Sequence, residues 1–355
     1  MAFSSLRTVA FRNLRDGIIN FPSKTVFFVG ENGQGKTNIL EALYVCAYGA
    51  SFRGVRDSRL VQEGSCESAL SALVTGFVDH QVTVKILGSR KVLQIDEKPI
   101  QSRKDLLSIS PTIIFCHEDM EFISGSPERR RWFFDQTLSL YDSLYLEDLQ
   151  RYRHILRLRN TVLKEGHLDT LETLDIQLVR IGCSLIEKRE KVSRQFSEVF
   201  SKLYEAITGI DQVTLRYKPS WSTQNFDQII EHLGKIRERE LILKMSLSGP
   251  HRDRYQFIRH DDEFEVQAST GQRRLLALLL RIAQAKLFTE MSRRLPVLLL
   301  DDVLLELDPE KRKKFFSVLP DHEQAFFTFL PEEPYERYQQ DGIMVYHVMD
   351  GALYL

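Results

Sequence analysis

The chain has 355 residues and is 43% hydrophobic, enough for one large or two ordinary domains with a sizeable core. Its 48 Lys and Arg balance 49 Asp and Glu, for a net charge of −1, which excludes a uniformly basic nucleic-acid coat; a polyanion would need a local basic patch. Cys46, Cys66, Cys116 and Cys183 are scattered with no C-x-x-C pair, which argues against a disulfide framework or a cysteine metal site and for a reduced, cytoplasmic setting. No signal-peptide core is evident, and apolar runs such as Leu275–Leu280 are far too short to span a bilayer, so no membrane partner is expected.

In chain order, Leu6–Phe11 reads as a strand, expected to share a sheet with Thr25–Val29. Arg12-Asn13 between them is either a polar turn or a contact to a nucleotide base or sugar. Thr25–Val29, short, apolar and β-branched, reads as a buried strand. It runs into Gly30-Glu31-Asn32-Gly33-Gln34-Gly35-Lys36-Thr37, and Asn38–Ala47 then shows helical spacing. Strand, glycine loop and helix in that order form the phosphate-loop arrangement. The glycines let backbone N–H groups turn inward, Lys36 offers a point charge to the β- and γ-phosphates, and the Thr37 hydroxyl suits Mg²⁺. This points to ATP with Mg²⁺.

Val82–Leu87 and Val92–Ile95 flank Gly88-Ser89-Arg90 as a hairpin, and Thr112–Phe115 is a further buried strand. It leads into Cys116-His117-Glu118-Asp119, either a ligand-facing cluster or a plain loop. From Gly125-Ser126-Pro127 onward the pattern changes. Leu138, Tyr141, Tyr145, Leu149, Tyr152 and Leu156, then Leu171 through Leu203, recur at alternating spacings of three and four around a break at Glu165-Gly166-His167. That predicts two long antiparallel helices forming an arm. Its polar face carries Arg151, Arg153, Arg157, Arg159, Lys188, Arg189, Lys191 and Arg194, for solvent or for DNA phosphates or a partner. Arg129-Arg130-Arg131 either supports phosphate contacts or pairs with Glu118, Asp119 and Glu121.

Val213–Tyr217 reads as a strand and Asp227–Lys244 as a helix. Gly249-Pro250-His251-Arg252-Asp253 concentrates polar chemistry in a turn, structural or functional. Ser269-Thr270-Gly271-Gln272 opens the helical run Leu275–Met291, either as a routine cap or as an anion site. Leu295–Leu300 is a buried strand ending in Asp301-Asp302, the Walker B arrangement. Asp301 would hold Mg²⁺ through water and Asp302 would orient or deprotonate the attacking water. Ala325–Phe329 is a last core strand carrying Thr328.

The phosphate loop and the aspartate pair lie at opposite ends of the chain, yet both must reach one nucleotide. The expected architecture is therefore α/β: a P-loop ABC-type ATPase head from residues 1–122 and 246–355, with a two-helix arm domain, 123–245, inserted.

In this order the chain resembles the RecF family of bacterial recombination and replication-repair ATPases, related to the SMC heads. The resemblance covers the whole length. It rests on Phe11-Arg12-Asn13, Gly30–Asn38, Ser51-Phe52-Arg53, Ile123–Pro127 with Arg129-Arg130 and Phe134-Asp135, Gly249–Asp253, Ser269–Gln272, and Leu300-Asp301-Asp302 with Glu306-Leu307-Asp308. It departs from the family at His117, usually proline, and at Leu305, usually small. The resemblance implies an ATP-dependent homodimer in which Ser269, Gly271 and Gln272 of one copy cap the nucleotide on Gly30–Asn38 of the other. It implies slow, DNA-stimulated ATP hydrolysis, binding to double-stranded DNA and single/double-strand junctions, and work with RecR and RecO during DNA damage repair. The other classes open to such motifs are an SMC-like chromosome-structural or end-processing ATPase, a transporter-coupled ATPase subunit, and a non-hydrolysing ATP-gated adaptor.

Overall fold

The computed structural model describes residues 1–100, 104–166, 168–303, 309–338 and 342–355; His167, Leu305 and Glu306-Leu307-Asp308 lie outside them. The chain divides into two compact units, Met1–Asp119 with Arg293–Leu355, and Met120–Ser292. The sequence reading ends the inserted segment at 245, whereas the second unit runs on to Ser292 and so takes in the Ser269 helix.

In the first unit the phosphate-loop strand Thr25–Val29 lies in a six-stranded sheet with Ile343–Met349 on one side and Gln324–Phe329, Val297–Leu300 and Thr112–Phe115 on the other, all parallel. The short strand Ala352–Tyr354 closes the other edge antiparallel to Ile343–Met349. These parallel strands are almost continuously apolar because both faces are covered: Val297–Leu300 and Gln324–Phe329 are buried at every position.

The predicted first strand is Ala2–Val9, and it does not join that sheet. It belongs to a separate antiparallel sheet of Gly17–Asn20, Ala2–Val9, Glu67–Thr75, His80–Leu87, Arg90–Ile95 and Lys98–Pro99. The reason is visible in its side chains. Phe3, Leu6 and Thr8 are buried while their neighbours are not, the alternation of a sheet with one covered face. The helix Lys36–Tyr48 packs against strands of both sheets, and its Ile39, Leu40, Leu43, Val45 and Cys46 sit in the shared core with Phe28, Leu70, Val84 and Phe326.

In the second unit the arm region holds three long helices, not two: Pro127–Tyr141, Ser143–Glu165 and Leu171–Thr208. The extra break falls at Asp142, whose carboxylate accepts the Tyr145 N–H at 2.9 Å and caps the second helix. The last two pack along each other and end at Gly166 and Gly209, both in the left-handed conformation. The helix Phe226–Leu243 packs on Leu171–Thr208 through Ile229 and Leu233, with Trp221 in the same cluster. A three-stranded antiparallel sheet, Asp262–Glu263, Arg254–Arg259 and Thr214–Lys218, and the helix Thr270–Ser292 complete the unit. Among the described residues no helix is long and apolar enough to cross a membrane.

Candidate functional site

Because the strands are parallel, the first unit gathers its chemistry at one sheet edge. Val29 passes into the glycine loop, Leu300 passes into Asp301, and between them Gln324–Phe329 brings up Thr328. Ligands of open α/β sheets sit outside such carboxyl ends.

The loop turns through Gly33 and Gly35, at φ +81° and +114°, a region that penalises any side chain. A Cβ at Gly35 would also press on Asn13 Oδ1 and Leu14 Cδ2, each at 3.1 Å. The helix begins at Lys36 with no side-chain cap, so its first N–H groups face the loop, the arrangement that receives an anion. Lys36 is 4% exposed, and its ammonium donates to the carbonyls of Gly30 at 2.7 Å and Glu31 at 3.1 Å, across the loop mouth.

Thr37 Oγ1 donates to Asp301 Oδ1 at 2.8 Å, joining residues from the two ends of the chain. Asp302 sits at φ +50°. Its N–H donates to Thr328 Oγ1 at 2.7 Å, and that hydroxyl lies 2.7 Å from Asp302 Oδ1 and 3.4 Å from Asp301 Oδ1. Burial pushes the Asp301 carboxyl up to about 7, with the neighbouring Asp302 charge adding to it; the Thr37 bond and the Arg53 charge act the other way. A half-buried, oxygen-only pair whose carboxylate lacks a full counter-charge fits a hard divalent cation.

A further layer holds the loop in place. Asn13 Nδ2 donates to the Gly33 carbonyl at 2.9 Å, Asn38 Nδ2 to Asn13 Oδ1 at 2.7 Å, and Arg53 to Asn38 Oδ1 at 3.2 Å. Arg12 forks onto the buried Glu41 carboxylate at 2.8 and 2.9 Å, and Ser51 donates to the same carboxylate. Arg12 and Asn13, read from sequence as a turn or a base contact, thus commit their side chains to the helix and the loop. Glu31 and Asn32 are exposed, and the Gln34 side chain bonds to the backbone of Asp350. Glu41 escaped the sequence reading. Its signal was a lone carboxylate one turn beyond Thr37 on the buried face of an apolar helix.

Other sequence candidates fall elsewhere. Ser269, Gly271 and Gln272 belong to the second unit, where Ser269 and Gln272 form a reciprocal capping box: the Ser269 N–H donates to Gln272 Oε1 at 2.8 Å and the Gln272 N–H to Ser269 Oγ at 3.3 Å. Asp119 turns back to accept the Cys116 N–H at 3.0 Å and shapes its own loop. Both ring nitrogens of His251 are engaged within the second unit. Tyr152 O–H meets its Nδ1 at 2.8 Å, Nε2 meets the Ser246 carbonyl at 3.2 Å, and burial lowers its pKa to about 4. Asp253 is buried against Arg189 at 2.7 Å, Tyr217 and the Ser220 N–H. Of the arginine run, Arg129 does pair with Glu121, at 2.7 Å. Arg130 instead reaches Glu265 and the Ile123 and Tyr255 carbonyls, and Arg131 the Asp253 carbonyl. On the arm, Arg159 and Arg189 are not on a polar face: both are buried, Arg159 with Asp175 and Glu240, Arg189 with Asp135 and Asp253.

A parallel sheet carrying a phosphate loop and an aspartate pair at one carboxyl edge, interrupted in sequence by a helical unit, defines an ABC-type P-loop head. The comparisons agree. The family model described as the RecF/RecN/SMC N terminal domain matches residues 2–352. The chain is 45% identical over 349 residues to the DNA replication and repair protein RecF of Treponema pallidum (strain Nichols), covering 98% of this chain and 99% of that protein. It is 34% identical over 327 residues to the protein of the same name from Leptospira interrogans, covering 90% and 88%. A solved structure of the recombination mediator protein RecF with ATP, of the RecFOR pathway, superposes with a TM-score of 0.90 at 27% identity, over 99% of this chain and 97% of that one. The Smc head domain of Pyrococcus furiosus, at TM-score 0.57 and 17% identity over 99% and 95%, shares the fold. The chain belongs to the RecF family of DNA replication and repair proteins.

Proposed function

We propose that the chain is an ATP-dependent DNA-binding protein of recombinational repair and replication restart, working in the cytoplasm. In this reading it closes as a homodimer on duplex DNA at gaps or single/double-strand junctions and, with RecR and RecO partners, helps load recombinase. The observation that carries it is the 2.8 Å bond between Thr37 and Asp301, which brings the phosphate loop and the carboxylate pair into one site. The ATP-bound RecF structure of the RecFOR pathway supports the choice of nucleotide and pathway.

The chain's own residues divide the work. The N–H groups of Gly30–Thr37 receive the phosphates, and Lys36 exchanges its loop carbonyls for β- and γ-phosphate oxygens. Thr37 and Asp301 would hold Mg²⁺, which when bound would neutralise phosphate charge. Asp302, fixed by Thr328, orients the attacking water and takes its proton. In a two-fold dimer, Ser269, Gly271 and Gln272 of one copy cap the nucleotide of the other, so nucleotide favours the dimer by mass action. DNA phosphates supply the contacts, which makes binding salt-sensitive and largely independent of sequence. Turnover is slow and resets the clamp.

Light scattering with and without Mg²⁺–ATP tests this reading. The expected result is a monomer that becomes a dimer only with ATP. Ser269→Arg should stay monomeric, and Asp302→Asn should dimerise without turnover. A mass that ignores ATP would refute the clamp.

A further inference from the structure

The sequence reading counts Gln34 among the nucleotide ligands, but its side chain faces another partner. Gln34 Oε1 accepts the Asp350 N–H at 2.6 Å, and the Gln34 carbonyl accepts the Gly351 N–H at 3.0 Å. Asp350 and Gly351 form the two-residue turn of the hairpin Ile343–Met349 and Ala352–Tyr354, closed by the pair Met349 and Ala352. Both have positive φ, +49° and +73°, as a tight primed turn requires. In an ordinary hairpin such outward N–H groups face water; here both bind the middle of the phosphate loop.

The same hairpin closes on the loop elsewhere. Gly30, the loop's first residue, leaves no room for a Cβ against the Val348 carbonyl, and Gly351 leaves none against the Asn13 carbonyl. The Gly351 carbonyl in turn accepts the Arg15 N–H at 3.0 Å. Asn13 holds Gly33 from the other side. The loop is therefore clasped between the Phe11–Arg15 turn and the Asp350–Gly351 turn, with Gln34 supplying both acceptors toward the hairpin. Glycine loses more freedom on ordering than any other residue, so a loop rich in it binds well only if its shape is set beforehand.

We propose that Gln34 is a positioning residue that locks the phosphate loop to the Asp350–Gly351 turn, making the hairpin Ile343–Tyr354 a working part of the nucleotide site. The proposal rests on the nucleotide reading above. Gln34 acts through the backbone of its neighbours, and its own carbonyl bond to Gly351 survives side-chain replacement, so the fold tolerates the test.

The experiment compares full-length wild type with Gln34→Ala and Gln34→Glu, using a fluorescent ATP analogue with Mg²⁺, steady-state hydrolysis, and amide hydrogen exchange. Removing this acceptor should weaken nucleotide binding roughly three- to tenfold in Gln34→Ala, with a smaller change in turnover at saturating ATP. The Asp350 amide should exchange faster in the nucleotide-free variant, and ATP should slow it in wild type. Gln34→Glu keeps the acceptor and should restore Asp350 protection. Wild-type affinity in Gln34→Ala, or exchange at Asp350 indifferent to the substitution, would overturn the lock. A wild type that binds no ATP would refute the nucleotide reading instead, and the exchange comparison between nucleotide-free proteins would still decide the lock.

Discussion

Replacing Thr328 with valine keeps the shape of a buried strand residue and removes one hydroxyl. That hydroxyl accepts the Asp302 N–H at 2.7 Å and lies 2.7 Å from Asp302 Oδ1, so it holds both the backbone and the carboxylate of one residue. Asp302 needs holding, because a non-glycine residue at φ +50° costs about 1 kcal/mol or more. A hydrogen bond to a carboxylate contributes about 1.5–3 kcal/mol, and an orphaned buried N–H costs about 1–3 kcal/mol. Relaxation of the turn returns part of this, leaving about 2–4 kcal/mol against the present placement of Asp302. If Asp302 handles the attacking water as proposed, turnover should fall about 30- to 1,000-fold. ATP affinity should change less than about threefold, since no phosphate-facing group is touched. Single-turnover phosphate release measures the first, nucleotide titration the second. Thr328→Ser, which keeps the hydroxyl, should retain most of the activity. A valine variant that hydrolyses ATP within twofold of wild type, or a serine variant as poor as valine, would refute the reasoning.

Two further predictions concern the second unit. His251 is held neutral, its pKa lowered to about 4 from about 6.5 by burial. The unfolded chain therefore binds the extra proton between those values, and the histidine's contribution is full above pH 6.5 and lost as pH falls toward 4. Stability should drop by about 2 kcal/mol more between pH 7 and pH 4.5 in wild type than in His251→Gln, measured by urea unfolding; parallel curves would count against it. Arg159 is fully buried, donating to Asp175 at 2.6 Å, Glu240 at 2.7 Å and Ser246 at 2.8 Å. Arg159→Leu leaves the buried Glu240 carboxylate without its guanidinium and Asp175 with Arg237 at 3.2 Å, so it should cost about 3–5 kcal/mol. In calorimetry the unfolding of this unit should move down by roughly 10 °C while ATP binding persists.

The glycine loop and the aspartate pair were legible because each is a local pattern. Val26–Val29 and Val297–Leu300 are unbroken apolar runs, and a phosphate needs glycines, a lysine and a hydroxyl at fixed spacing right after the first. The layer behind it was not legible, because Asn13 with Gly33, Arg12 with Glu41 and Gln34 with Asp350 pair residues far apart in sequence. The antiparallel sheet was read only in part for a different reason. Glu67–Thr75, Glu-Ser-Ala-Leu-Ser-Ala-Leu-Val-Thr, carries serine and alanine where strands favour branched side chains, and only pairing with Ala2–Val9 and His80–Leu87 makes it a strand.

The arm gives the more instructive error, because the missing information was in the pattern itself. Tyr145, Leu149, Tyr152, Leu156 and Leu163 keep alternating spacings of four and three only if position 159 joins them. Leu178, Leu185, Val192 and Phe196 likewise keep it only through 182 and 189. Those positions hold Arg159, Gly182 and Arg189, and all three are buried. Grouping the arginines with their charged neighbours assigned them by residue type; the helical period assigns them to the core. A charge placed there needs a buried partner, and the partners exist: Asp175 and Glu240 for Arg159, Asp135 and Asp253 for Arg189. Asp253 is the last residue of the polar turn Gly249–Asp253, and Asp135 belongs to the marker Phe134-Asp135. Two motifs that look like chemistry in the sequence thus supply the two carboxylates that pair with one buried guanidinium. An arginine that completes a helical period, taken together with aspartates elsewhere in the chain that no other role accounts for, marks such a buried network in the sequence itself.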